Sequence, residues 1–390
     1  MSARLLVLTA GFGEGHNAAA RAVAAAADAA RGEGTAKVVD AFALAAPRLN
    51  AFSRKAYLGL INRAPRVWSS FYAWLDRSPH ASTLMGALRN ERRALARVLE
   101  AEQPAVLCST YPAYGFMLAT LAREGVRVPR LFTVVTDSIS INSLWWRAAS
   151  DGWFMPNEDS AGIMRQAGVA DRQLHVLGFP VHPHFAELAP HLNVPDLKAG
   201  HTPKVLYIVN SRTAAALETA RQLVTKTAWE VTCTVGRNEA LRQELTRLAQ
   251  GRPVPARILG WTHEIPSLLL THHVVISKAG GATTQEALAA RCPMIVNQVV
   301  PGQEEGNYEL LRRHGIGALA ERPDAVLAAL QRAFAGRGEV WHGWRRAAEA
   351  LSKPRAAYDI AAELLAYADS PEEPVPLPLR RRNETAPASA

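Results

Sequence analysis

Two groups of residues, far apart in the chain, have types and spacing that could do chemistry. The first is Gly11-Phe12-Gly13-Glu14-Gly15-His16, which follows the apolar run Leu5–Thr9. A histidine in such a loop has an ordinary pKa near neutrality, suited to taking a proton from a hydroxyl. It could equally be a second capping group for the alanine-rich helix Ala18–Ala30, which Asn17 is placed to cap. The second group is Ser277–Asn307, SKAGGATTQEALAARCPMIVNQVVPGQEEGN. Gly280-Gly281 permits a sharp turn and close approach of a ligand. Thr283-Thr284-Gln285-Glu286 then opens a helix, whose unpaired N–H groups and positive dipole end suit a diphosphate. Glu286, one turn in, is placed to bond both hydroxyls of a ribose. Gln303, Glu304, Glu305 and Asn307 form a polar loop after the next strand. Asp137 closes the run Arg130–Thr136, where it either lines a site or caps the following turn.

The elements that must position these residues are short, buried and β-branched. Runs at Leu5–Thr9, Lys37–Asp40, Ala105–Cys108, Arg130–Thr136, Gly152–Met155 and His175–Gly178 have the spacing of repeated βα units. Phe185–Pro203, with three prolines, interrupts the pattern. It restarts with Lys204–Val209, Trp229–Val235, Arg257–Leu259, Val274–Ile276 and Pro293–Val296. A chain of 390 residues also predicts more than one core. The expected organisation is an α/β N-terminal domain over 1–185, a linker over 186–203, a C-terminal domain over 204–368 and a disordered, proline-rich tail over 369–390. In open α/β sheets ligands collect at the carboxyl ends of the strands, where all the groups above would lie.

Composition narrows the partners. The formal charge is +9, with the basic residues scattered along the chain. That favours an anionic membrane surface or a phosphorylated substrate, and no nucleic acid. Three cysteines without metal spacing fit a reducing, cytoplasmic setting. No run approaches the roughly 18–20 apolar residues needed to cross a bilayer, and Leu5–Leu8 is too short for a signal peptide. Without an Asp-x-Asp pair or His-Glu-x-x-His, no metal site built by the protein is expected. Phe52–Ser78 interleaves Tyr57, Trp68, Tyr72 and Trp74 with arginines and lysines. Such a segment can lie in a membrane interface, or bury its aromatics and solvate its charges; composition leaves both open.

The segments GFGEGHNAAARAV, TDSISINSLWW, GFPVHPHF, TVGRNEAL, LGWTHEIPSLL, SKAGGATTQEAL and PGQEEGN together resemble the monogalactosyl- and processive glucosyl-diacylglycerol synthases. These are glycosyltransferases of family 28, and the resemblance spans nearly all of residues 4–365. It implies the GT-B fold, two doubly wound Rossmann-like domains facing a cleft, with the last helix packing back on the N-terminal domain. It implies a UDP-sugar as co-substrate and no further cofactor. Uracil would sit beside Gly260-Trp261 and Ile265. Gly280, Gly281, Thr283 and Thr284 would hold the diphosphate and Glu286 the ribose. Apart from the resemblance, Arg237 or Arg212 is placed to stabilise the leaving diphosphate. Gln303, Glu304 and Asn307 would hold the sugar. His16 would be the catalytic base; Asp137, from its place at a strand end, is the second catalytic candidate. Tyr57, Trp68, Tyr72 and Trp74 would contact the membrane and lipid acceptor.

Two positions depart from that pattern. Asn142 stands where relatives commonly carry a histidine, and Asn210-Ser211-Arg212-Thr213 replaces a glycine-rich loop. The expectation is a membrane-associated inverting glycosyltransferase moving a hexose from a UDP-sugar to a lipid acceptor, diacylglycerol first. It would be peripheral on the inner face of the cell membrane. The alternatives are a UDP-sugar epimerase of the same architecture, transfer to a peptidoglycan or lipopolysaccharide precursor, or a non-catalytic binding protein.

Overall fold

A computed structural model describes residues 4–11, 13–45, 88–211, 213–301 and 304–370. The chain forms two compact units. The first comprises Met1–Pro183, Pro301–Gly306 and Arg355–Ala390; the second comprises His184–Val300 and Asn307–Pro354.

The first unit is built on one six-stranded sheet. Its strands are β1 (Leu5–Leu8), β2 (Ala36–Val39), β3 (Val106–Ser109), β4 (Arg130–Val134), β5 (Gly152–Phe154) and β6 (Leu174–His175), in the order β2-β1-β3-β4-β5-β6. All five pairings are parallel. A parallel sheet must be covered on both faces, so its strands are apolar on both sides. All of β1 and β3 is buried. The helix Ala356–Asp369 packs on this unit through Ile360, Leu364 and Leu365. Tyr367 lies on Phe132 with ring centroids 4.5 Å apart, Glu363 is 2.6 Å from His175, and Asp369 pairs with Arg4 and Arg31.

The second unit repeats the plan with β7 (Lys204–Ile208), β8 (Glu230–Thr234), β9 (Ala256–Leu259), β10 (Val274–Lys278), β11 (Met294–Gln298) and β12 (Ala318–Leu319). The order is β12-β11-β10-β7-β8-β9, again all parallel. The segment from His184 to Pro203 belongs with this unit: Phe185 is fully buried and Leu197 joins its core. The long helix Pro323–Leu351 is interrupted at Ala335–Gly338, where three successive residues have positive φ. Gly338, at φ 81°, takes a left-handed conformation that favours glycine, and a Cβ there would also push against Leu197.

Beneath this sheet, His272 and His273 are buried as neutral rings. His272 Nδ1–H donates to the Leu268 carbonyl at 2.7 Å, and Nε2 accepts from Thr232 Oγ1 at 2.9 Å. His273 Nδ1 accepts from the Lys204 amide at 2.9 Å, and Nε2–H donates to the Pro195 carbonyl at 2.9 Å. Protonating His273 would turn two donors toward each other. Burial pushes both pKa values down to about 4, from an ordinary 6.5. The unfolded chain therefore binds more protons than the folded one between these values. Their stabilising contribution is complete above pH 6.5 and is lost as pH falls toward 4. Melting curves at constant ionic strength should show a lower Tm at pH 5 than at pH 7; a flat profile would contradict the neutral pair.

Candidate active site

In both sheets the strand order reverses beside the first strand of the unit: between β1 and β3, and between β7 and β10. Loops leaving the carboxyl ends of two such strands diverge and open a crevice. The His16 loop follows β1 at the first of these places and the Gly280–Glu286 turn follows β10 at the second, while Asp137, Arg237, Trp261 and Glu304 follow β4, β8, β9 and β11.

In the first unit, β1 runs into the glycine loop, and the helix Glu14–Arg31 starts at Glu14 with Gly13 as its N-cap. The start lies a turn earlier than expected, and Asn17 is not the cap. Its Oδ1 instead accepts from Thr9 Oγ1 at 3.0 Å, tying the helix to the strand end. His16 sits in the first turn. Its Nδ1 lies 2.9 Å from Thr136 Oγ1. Tyr111 meets the imidazole edge-on at 5.2 Å between centroids, and Trp145 lies at 6.2 Å. Burial pushes the His16 pKa down to about 4, against a smaller upward effect of its bond to the Thr110 backbone. The ring is therefore neutral at neutral pH, with a nitrogen lone pair available.

Asp137 is partly buried, and its Oδ2 accepts from the Trp145 indole at 2.7 Å. The loop that follows is strained. Ile139, β-branched, has φ 55°, and its amide donates to Ser160 Oγ at 3.2 Å. Gly306 lies against this loop so closely that a Cβ would be 1.8 Å from the Ser138 carbonyl oxygen. Asn142 is buried, its Oδ1 accepting from the Leu144 amide at 3.0 Å while Nδ2 has no partner. Thr136, Tyr111 and Trp145 are site residues that sequence reasoning missed. The signal for Thr136 was its place immediately before Asp137 at a strand end.

In the second unit, a register shift between Ser277 and Lys278 breaks the β10–β11 ladder just before the turn. Gly280 is the N-cap and the helix Gly281–Ala289 begins two residues before the expected Thr283. No side chain caps it. The first turn's amides, Gly281 to Thr283, thus have no acceptor within the helix. The Thr284 amide bonds the Gly280 carbonyl at 2.9 Å, and its hydroxyl is fully buried against Met294 Sδ. Asn307 Nδ2 donates to the Ala279 carbonyl at 3.0 Å, bracing the turn, while its buried Oδ1 has no partner. Asn210 Nδ2 donates to Ser277 Oγ at 2.8 Å from across the switch point.

Glu286 is half-buried one turn into the helix, and Glu304 is 5% exposed. Trp261 is 64% exposed, edge-on to His263 at 4.2 Å, and Ile265 begins the helix Ile265–Thr271. Arg237 is exposed beside Gly236, which lies near Gly260 of the Trp261 loop. Arg212, Gln303, Tyr57, Trp68, Tyr72 and Trp74 lie outside the described residues.

Comparison with known proteins fits this geometry. Residues 16–181 match the model of the monogalactosyldiacylglycerol (MGDG) synthase family. The chain is 24% identical over 384 residues to a processive diacylglycerol beta-glucosyltransferase of Bacillus cereus, covering 97% of this chain and 96% of that one. The two parallel sheets and their covering helices have the GT-B fold. Among solved structures, Os79 from O. sativa in complex with UDP aligns with a TM-score of 0.60 at 11% identity, covering 93% of this chain and 100% of that one. The UDP-GlcNAc 2-epimerase from Neisseria meningitidis bound to UDP-GlcNAc aligns at 0.56 and 13% identity, over 93% and 99%. The last two show the fold, which transferases and epimerases share.

The packing at Gly306 can be tested directly. Gly306→Ala must displace backbone and should lower the Tm by several degrees. Gly343→Ala, in the helix Pro323–Leu351 with nothing within 4 Å of the added Cβ, should be neutral or stabilising by up to ~1 kcal/mol. Equal effects of the two substitutions would show that the close contact at Gly306 is absent.

Proposed function

We propose that this protein is a glycosyltransferase that moves a hexose from a UDP-sugar to diacylglycerol at a membrane surface, inverting the anomeric carbon. The observation that carries the reading is a division of chemistry between the two switch points: a neutral histidine at one, an uncapped helix start behind a glycine turn at the other. The names of the relatives supply the acceptor class, and the UDP in Os79 supplies the donor class.

In the reaction proposed, His16 takes the proton of an acceptor hydroxyl as the oxygen bonds the anomeric carbon. The bond from that carbon to UDP breaks, and its electron pair leaves with the diphosphate. The amides of Gly281 to Thr283 and the helix dipole meet the charge as it grows. A base with a low pKa is always in its active form near neutrality, and it accepts the proton late, once the attacking oxygen has become acidic. Trp261 offers an exposed face to uracil, and Glu286 is assigned the ribose. Asn307, with Nδ2 committed to Ala279, contributes Oδ1 to the sugar hydroxyls together with Glu304 and Gln303.

The membrane contact is assigned to Phe52–Ser78, helped by the excess of positive charge. Among the described residues no helix is long and apolar enough to cross a membrane. Three buried free thiols accord with the cytoplasmic side.

Two measurements check the mechanism. His16→Ala should lower turnover by ~10²-fold or more with UDP affinity nearly unchanged; wild-type turnover in this variant removes His16 as the base. In the wild type, kcat/KM should hold through pH 6.5 and fall only as pH drops toward 4, because the neutral ring is the active form. An acid limb centred at 6.5 would place His16 in a wetter setting. Incubation with a UDP-sugar alone separates the epimerase reading, which yields an epimerised sugar nucleotide without lipid.

A further inference from the structure

We propose that Thr136 is the positioning residue for His16: its hydroxyl holds the imidazole with the proton on Nδ1, so that Nε2 presents the lone pair to the acceptor. The inference rests on the glycosyl-transfer reading above.

The geometry points to Thr136 because its Oγ1 is the side-chain group at Nδ1, at 2.9 Å. It is 6% exposed, on the segment leaving β4, where the Val135 amide is pinned to the Phe154 carbonyl at 3.0 Å. A buried β-branched residue following this anchored strand end has little χ1 freedom, so the hydroxyl is a fixed point. Tyr111 and Trp145 bound the ring on other sides. Asp137 takes part at one remove, since its Oδ2 accepts from the Trp145 indole.

The choice of a hydroxyl has a chemical consequence. A carboxylate behind the ring would stabilise imidazolium and raise its pKa, whereas a neutral hydroxyl fixes the tautomer and adds no charge. The low pKa of His16 accords with this. The opposite tautomer, with Thr136 donating to Nδ1 and the proton on Nε2, would leave no lone pair toward the acceptor.

Nitrogen-15 NMR of histidine-labelled protein at pH 7, with His16 assigned by comparison with His16→Ala, reads the tautomer without any turnover. Protonated Nδ1 is the expected signature, and protonated Nε2 overturns the proposal. Kinetically, Thr136→Val should lower kcat by ~10- to 100-fold with KM for the UDP-sugar unchanged, while Thr136→Ser, which keeps the hydroxyl, should stay within about threefold of wild type. A Thr136→Val enzyme with wild-type kcat refutes the positioning role. Should Thr136→Val not fold, the serine variant and the wild-type spectrum still decide. Full activity in His16→Ala would instead overturn the parent reading, a result separable from any outcome at Thr136.

Discussion

Parallel strand pairing is the constraint on which the rest depends. Once every strand of a sheet points the same way, all its carboxyl ends lie along one edge, and every crossover must return through a helix on a face. The strands then have to be apolar on both sides, and polar chemistry is confined to the loops of that edge. Each unit obeys this independently. Leu5–Leu8 and Val274–Ile276 are buried, and the first polar groups appear within a few residues of their ends, at Thr9 and Ser277.

At those edges, ordinary hydrogen bonds set unusual states. His16 stays neutral because its surroundings desolvate it while its side-chain partner is a hydroxyl. The turn at Gly280 is braced by Asn307, which bonds the Ala279 carbonyl, and the helix behind it starts without a side-chain cap. The loop after β4 is more costly. A left-handed isoleucine and two tight turns persist there because Ser160 and Gly306 constrain the backbone from both sides. Strain of that kind, on the order of 1–3 kcal/mol per residue, is retained where position matters more than stability.

Much of this was legible in the sequence, for physical reasons. Short β-branched runs ending in glycine or polar residues identify buried parallel strands, and eleven were placed within a residue or three. Ala318–Leu319 was not, since two residues carry no periodicity. The glycine turn and His16 were legible because their chemistry is local. Helix starts were less so. Gly281 has low helical propensity, yet an uncapped first turn tolerates it, and Asn17 was drawn from capping to Thr9 by a strand-end hydroxyl. Thr136 at His16 spans 120 residues of sequence, and Gly306 at Ser138 spans still more. Such contacts exist only once the strands are in register, so no local signal announces them. Asp137 drew attention as the titratable group, while its quieter neighbour holds the ring.

The central claim, hexose transfer to diacylglycerol with inversion, is tested most directly by the product itself. Purified protein is given an α-linked UDP-hexose and diacylglycerol in anionic vesicles, and the extracted lipid is examined by proton NMR. The account predicts a hexose joined to the glycerol hydroxyl with a β anomeric proton. An α-linked product would contradict inversion, and no glycosylated diacylglycerol with any common UDP-hexose would contradict the assigned reaction.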